Sequence, residues 1–325
     1  MIFVSPKEPD NSNINSLGGI FMKKQIVSVF LVLAIAGICF ADEPVEIRMD
    51  LSFYTSTCGE MQLNFIPQWT FPLLQGKTPL TSGNNLTLKL DASLSPIATS
   101  LTGDAVLTVF PFLSFTTGAM VGTGWNYDLF GVVPLVGLGL NSRTSADDQN
   151  DGVIGSGFDG AVWDVHAGAM LQFDLAAFLP GDWNHFVMQY YNKIDYFAYT
   201  HAQNDELWYY LGDDGMNMNA VRHSFEVFAG YAMPVFMNLV GYQLSGTRPF
   251  YNFEEGSSIR DRGYSLCHAL IVNCKINERW SIMAITRVTN GFADPITSKY
   301  DREWGFDRVQ IIATLRLKQG EYHES

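Results

Sequence analysis

The chain has 325 residues, of which 47 % are hydrophobic, 14 % aromatic and only 16 % charged, with a formal net charge of −13. Soluble domains carry about 25 % charged residues, so this composition leans towards a membrane. The acidic balance argues against nucleic acid as a partner, because its binders are basic.

In chain order, residues 1–21 are polar and precede a complete export signal, so Met22 is the expected start and 1–21 a dispensable or untranslated extension. Residues 22–41 read as a signal peptide: Lys23 and Lys24, then an apolar run, then small residues before a cut after Ala41. The apolar run is short for a membrane-spanning helix. A lipid-anchored alternative would use Cys39, but Ile38 stands where a lipobox has a small residue. Residues 42–325 are then expected to form one domain. Residues 1–41 hold three basic and two acidic residues, so the exported chain has 17 Lys and Arg against 31 Asp and Glu, a net of −14. It keeps Cys58, Cys267 and Cys274. An odd count leaves a free thiol, and Cys267 and Cys274 fall on opposite faces of one expected strand, too far apart in direction to bridge.

After Ala41 no apolar stretch is long enough for a spanning helix. Apolar and polar residues instead alternate with period 2, the signature of a strand with one greasy and one wet face. "EIRMDLSF" sets Ile47, Met49, Leu51 and Phe53 against Glu46, Arg48, Asp50 and Ser52. "LTLKLDASL", "VWDVHAGAMLQFDL" and "RVQIIATLRL" repeat the pattern, while "YSLCHALIVNCKI" and "WSIMAITRV" do so less cleanly. The expected strands are 45–57, 60–71, 84–95, 102–110, 112–124, 160–175, 184–200, 218–232, 235–247, 262–275, 279–290 and 303–318. Most are longer than the five or six residues usual in soluble sheets and suit a tilted crossing of a bilayer.

The joins alternate in length over the C-terminal two thirds: 291–302 long, 276–278 short, 248–261 long, Met233-Pro234 very short, 201–217 long, 176–183 moderately short. Short turns on one side and long loops on the other characterise outer-membrane barrels. The N-terminal third departs, with a short join at Cys58-Gly59 and a long one over 72–83. Trp69, Trp163, Trp183, Trp280 and Trp304 fall near expected strand ends or in turns, Trp125 abuts a strand end and Trp208 lies in a loop, as aromatic girdles at the two interfaces would place them.

Together these features resemble bacterial outer-membrane β-barrels over the whole exported chain, and "GTGWN" at 122–126 and "MPVFMNLVGYQL" at 233–244 are similar to segments of spirochaetal barrel proteins. The resemblance implies an all-β, antiparallel up-and-down transmembrane β-barrel of about twelve strands, or fourteen. It also implies the outer membrane of a diderm bacterium, membrane lipid around the barrel and periplasmic assembly machinery as a partner. Such barrels commonly end on an aromatic residue; here Tyr322 is near the end but not terminal.

The wet faces are expected to converge on a lumen. Seven acids (Glu46, Asp50, Asp91, Asp164, Asp174, Asp195, Glu226) meet seven bases (Arg48, Lys89, Lys193, Arg222, Lys275, Arg287, Arg316), with His166 in addition. Ion pairs bracing the wall would use the same residues. The excess acid lies in loops: Asp147, Asp148 and Asp151; Asp205, Glu206, Asp213 and Asp214; Glu254 and Glu255. At a strand spacing of about 4.7 Å and the usual tilt, twelve strands give a backbone diameter of roughly 24 Å, a pore for small solutes or a closed one.

The longest connection, 125–159, contains "FGVVPLVGLGLN". Its apolar residues Val132, Val133, Pro134, Leu135, Leu138 and Leu140 are uncomfortable in water, so it is expected to fold into the mouth as a constriction, or else to add a hairpin. Ser114, Thr116, Gly118, Gly122 and Gly124 offer room on the preceding strand. "DDQNDG", Asp147 to Gly152, resembles a Ca²⁺ loop but has Phe158 where the twelfth, acidic ligand belongs, leaving at most weak divalent binding at acidic loops. No cofactor, metal-site or catalytic motif is present. A barrel phospholipase would need Ser and His on neighbouring strands; His223 and His268 have no convincing Ser opposite, and His166 with Asp164 reads as structural. The expected function is a pore or uptake channel for small polar solutes. The alternative is a closed barrel whose acidic loops bind a host or matrix partner, and a soluble secreted β-sandwich is the third reading.

Overall fold

The computed structural model describes residues 45–129, 133–142, 153–154, 157–203, 206–213, 215–250, 263–290 and 304–322. The expected signal peptide, Cys39, Val132 and the "DDQNDG" loop lie outside them. Twelve strands form a closed antiparallel barrel: β1 (Val45–Ser56), β2 (Met61–Pro72), β3 (Asn85–Leu94), β4 (Ala98–Phe110), β5 (Leu113–Gly124), β6 (Val162–Asp174), β7 (His185–Tyr199), β8 (Ala220–Ala232), β9 (Met237–Phe250), β10 (Ser265–Lys275), β11 (Trp280–Thr289) and β12 (Gly305–Tyr322). Each strand pairs with its neighbours in sequence, and β12 returns to β1 to close the ring.

Period 2 explains the burial pattern, which is inverted relative to a soluble protein. On β1, Phe53 is 45 % exposed, while Asp50 and Ser52 on the opposite face are 4 % and 6 % exposed. Leu90, Leu101, Phe115, Leu171, Ile194, Leu270 and Leu317 are likewise exposed on the outside of other strands. Backbone groups in hydrocarbon must pair within the protein, and a closed sheet leaves no edge unpaired. The greasy face of "RVQIIATLRL" therefore points at lipid. Leu270 sits mid-strand on that face, so Leu270→Arg is expected to cost about 2–4 kcal/mol at the bilayer midplane, read as a loss of unfolding free energy in lipid vesicles; a change under about 1 kcal/mol would contradict the lipid-facing assignment.

Several strand limits differ from the sequence expectation. β4 begins at Ala98, not 102, because Ser95 makes the turn tight: its hydroxyl accepts from the backbone N–H of Ile97 and Ala98, and its N–H donates to the Ala98 carbonyl. β9 runs on to Phe250 through paired Pro249, and β12 runs on to Tyr322. The register slips by a bulge between Met49 and Asp50 and again between Arg287 and Val288. The joins at 111–112, 233–236 and 276–279 are short, against 125–161 and 200–219 at the other end. The N-terminal exception stands: 57–60 and 95–97 are short at the long-loop end, and 73–84 is long at the short-turn end.

The 125–161 segment adds no barrel strand. Tyr127–Leu129 pairs with Val133–Leu135, and Leu138–Asn141 joins Val153–Ile154 and Trp208–Tyr210 in a three-stranded loop sheet. Trp208 is not an interfacial residue, as the girdle reading would have it. It is 0 % exposed at the centre of a small core with Ala98, Leu138, Val162, Phe197, Tyr199 and Tyr210. Leu140 packs against that core from its edge.

Candidate functional site: the inner wall and the loop sheet

The inner face is the one opposite the exposed apolar side chains, and glycines on β5 decide what can lie against it. A Cβ on Gly124 would meet the Gly137 carbonyl carbon at 2.5 Å, and one on Gly122 would meet the Tyr210 hydroxyl at 2.6 Å. The loop sheet thus packs backbone to backbone on the wall, where side chains would have held it off. Leu211 N–H donates to the Gly137 carbonyl, Trp125 N–H to that of Ile97, and Asn141 Nδ2 to that of Gly215. Asn219 ties the second loop down: it accepts from Tyr199 N–H and donates to the carbonyls of Tyr199 and Ala202. Two loop acids act on backbone, since Glu206 accepts from Gln203 N–H and Asp213 from Tyr210 N–H and Gly215 N–H. Burial pushes the Tyr210 phenol up, the Ser100 hydrogen bond opposes it and the Asp164 charge adds to it.

Beneath the loop sheet lie two polar clusters. In the first, His166 Nδ1 is 2.6 Å from Asp164 Oδ1 and Nε2 is 2.8 Å from Asp104 Oδ1. A Cβ on Gly118 would sit 2.3 Å from that Asp104 oxygen, so the glycine makes the bridge possible. In the second, Asp195 is 1 % exposed and receives Arg222 at 2.7 Å (Nε) and 2.6 Å (Nη2), with Lys193 Nζ at 3.4 Å. The Arg222 guanidinium also stacks 3.8 Å over the Phe197 ring, joining this cluster to the loop core.

Across the barrel, Asp50 is held by Arg48 at 2.7 Å (Nε) and 2.6 Å (Nη2), and Arg316 Nε stands 3.5 Å away. Higher on that wall, Arg308 binds Asp307 at 3.0 Å and also Glu60, while Arg287 Nε lies 3.6 Å from Asp307 and 3.2 Å from Cys267 Sγ. Asp174 bonds His185 at 2.7 Å and caps a short helical turn through Ala176. Glu46 accepts from Gln319. Of the other expected lumen residues, Lys89 stands opposite Asp104 in register, Asp91 opposite Thr102 and Glu226 opposite Tyr191. Lys275 lies at the end of β10.

Four of these partners escaped the sequence reading: Glu60, Asp104, Asp307 and Arg308. Asp104 and Arg308 follow from alternation once their strands are in register, but Asp307 sits in a bulge and Glu60 in a turn, where period 2 says nothing. Burial alone would push Glu60 up, but hydrogen bonds from Tyr54, Arg308 and Ser56 and the Arg308 charge outweigh it and hold the carboxyl below its ordinary 4.5. A folded value below the unfolded one means that this tie stabilises above about pH 4.5 and is lost as pH falls further. A carbon-13 titration should place the Glu60 midpoint below 4.5, and Arg308→Gln should raise it; a midpoint at or above 4.5 in the parent would contradict the tie.

The histidines considered for catalysis are occupied. His223 bonds Asn192 at 3.0 Å and the Tyr264 hydroxyl at 2.8 Å, and His268 bonds Tyr242 and lies 4.5 Å from the Trp304 ring. Cys58, Cys267 and Cys274 are free thiols. Among the described residues no group of three or more His, Cys, Asp or Glu is placed to hold a metal ion.

No family model and no curated protein matches the chain. Among solved structures it is similar to the KdgM porin (5 % identity, covering 83 % of this chain and 98 % of that one, TM-score 0.38) and the NanC porin (6 %, 83 % and 99 %, 0.38). It is also similar to the COG4313 outer membrane channel from Pseudomonas putida F1 (9 %, 84 % and 94 %, 0.38). At such values the assignment rests on the chain's own paired strands and inverted burial: the protein is a twelve-stranded β-barrel of the bacterial outer-membrane type.

Proposed function

We propose that the protein is an outer-membrane channel for small solutes, with the 125–159 loop narrowing its mouth. Arg48, Asp50, Lys89, Asp91, Asp164, His166, Lys193, Asp195, Arg222, Glu226, Arg287 and Arg316 line the passage and bias what enters. The observation that carries this reading is the ion-paired polar wall under a loop sheet anchored to the β4–β8 side. An eight-stranded barrel fills with side chains and a sixteen-stranded porin holds an aqueous channel, and twelve strands fall between the two. Periplasmic assembly machinery inserts the barrel, and its acidic surface loops bind divalent cations weakly.

The adhesive alternative would need loop acids free to meet a partner; of the nine named, Glu206 and Asp213 are the two within the described residues, and both are engaged with loop backbone. Single-channel recording on refolded 42–325 in planar bilayers tests the proposal. Discrete current steps that grow when 130–141 is deleted support it. A folded, heat-modifiable barrel with no conductance before or after the deletion overturns it.

A further inference from the structure

The inner wall is not polar throughout. On β10, β11 and β12 the inward positions include Ile271, Met283, Ile285 and Ile312. Ile271 stands opposite Ile285, and Met283 opposite Ile312. Ile271 is 7 % exposed and the other three are half-buried. Phe228 of β8 extends the strip: its ring lies flat on the wall over Gly230 and Gly241, where a Cβ would come within 2.5 and 2.4 Å of it. Apolar residues on both faces are why "YSLCHALIVNCKI" and "WSIMAITRV" alternate poorly. Lipid accounts for one face only.

One inward row nearer the short-turn end, the wall becomes cationic. Lys275 pairs with Ser281 and Ser281 with Thr314, and these three with Arg316 border a cavity of about 280 Å³. Arg48, Lys275, Arg279 and Arg316 line it against Asp50 and Glu278. Asp50 is already taken by Arg48 and Arg316. Among the described residues neither Lys275 nor Arg279 has a side-chain hydrogen bond or an ion pair, and both are exposed. At the strip's other end Arg287 and Arg308 are matched by Asp307 and Glu60. Unmatched positive charge thus lies at one end of the apolar strip alone.

We propose that the passage carries amphipathic organic anions, with a short apolar tail along the Phe228–Ile312 strip and a carboxylate or sulfonate head in the Lys275–Arg279 cavity. The inference rests on the channel reading and names its class of solute. A small polar solute would have no use for the strip, and a neutral apolar one none for the two free cations. Apolar contact and a charged head are both needed for a tight fit.

The test is block of single-channel current by hexanoate and by acetate, added on the short-turn side of refolded 42–325. Hexanoate is expected to block at about tenfold lower concentration than acetate, less than full burial of four extra methylenes would give. The double variant Lys275→Gln/Arg279→Gln, at exposed positions that leave the fold alone, should weaken block by both anions about tenfold. Met283→Gln should erase the gap between the two while sparing acetate. Current steps that the two anions block alike, or that the double variant leaves unchanged, overturn this inference with the channel reading intact. A folded barrel with no current steps overturns both.

Discussion

Replacing Trp208 by alanine should melt the loop sheet while leaving the barrel folded. Trp208 is fully buried, with its ring 4.9 Å from that of Phe197 and 5.8 Å from that of Tyr199. Removing a core tryptophan costs about 3–5 kcal/mol. The loop sheet has strands of two to four residues and, among the described residues, no second core of comparable size, so the loss falls on a small cooperative unit. The twelve-stranded ladder does not depend on it. Limited proteolysis should then cut within 133–142 and 206–213 in the variant and not in the parent, with an unchanged heat-modifiable band on gels. On the proposed function, single-channel current should also rise and become noisier. Protection equal to the parent's would show that the loops are held by something other than this core.

The second large effect concerns Asp195, the most deeply buried carboxylate in the wall. Asp195→Ala leaves Arg222 and Lys193 facing each other with no anion between them. Breaking a buried pair by removing one partner costs about 3–5 kcal/mol, because the remaining charge stays desolvated. Arg222 also stacks on Phe197, so its displacement would loosen the loop core as well. The double variant Asp195→Leu/Arg222→Met removes both charges and should recover most of the loss, since apolar replacements of a buried pair are often neutral. Urea unfolding in vesicles reads both. If the single variant loses less than about 1 kcal/mol, the cluster is hydrated and its charges are free to meet solute.

The barrel was legible because its physics is periodic. Lipid on one side and polar contacts on the other force period 2 on every crossing strand, and all twelve appear in the sequence at nearly their observed limits. Trp208 was misplaced because a tryptophan in a loop looks the same whether it faces an interface or a core; only the glycines at 124 and 137, which let two backbones touch, and Gly122, which admits the Tyr210 hydroxyl, distinguish the cases. The His166 cluster was half visible. Asp164 is two residues away on the same face, but Asp104 comes from a strand 62 residues distant and needs the register of β4, β5 and β6 to be found. The inward strip of Ile271, Met283, Ile285 and Ile312 was read only as imperfect alternation, because a sequence cannot say which of two apolar faces meets lipid.

One pairing in the ring differs from the rest. Eleven seams join strands adjacent in sequence, while β1 meets β12 across a gap that Gln319 and Glu46 bridge from 273 residues apart. The neighbouring hairpins can zip locally, but this seam has to wait for nearly the whole chain, and such long-range closure is slow. Until then the sheet is an open ribbon with two bare edges, prone to pair with other chains. The Asp50–Arg316 and Glu60–Arg308 contacts span this last seam, so they latch the cylinder shut after everything else has formed.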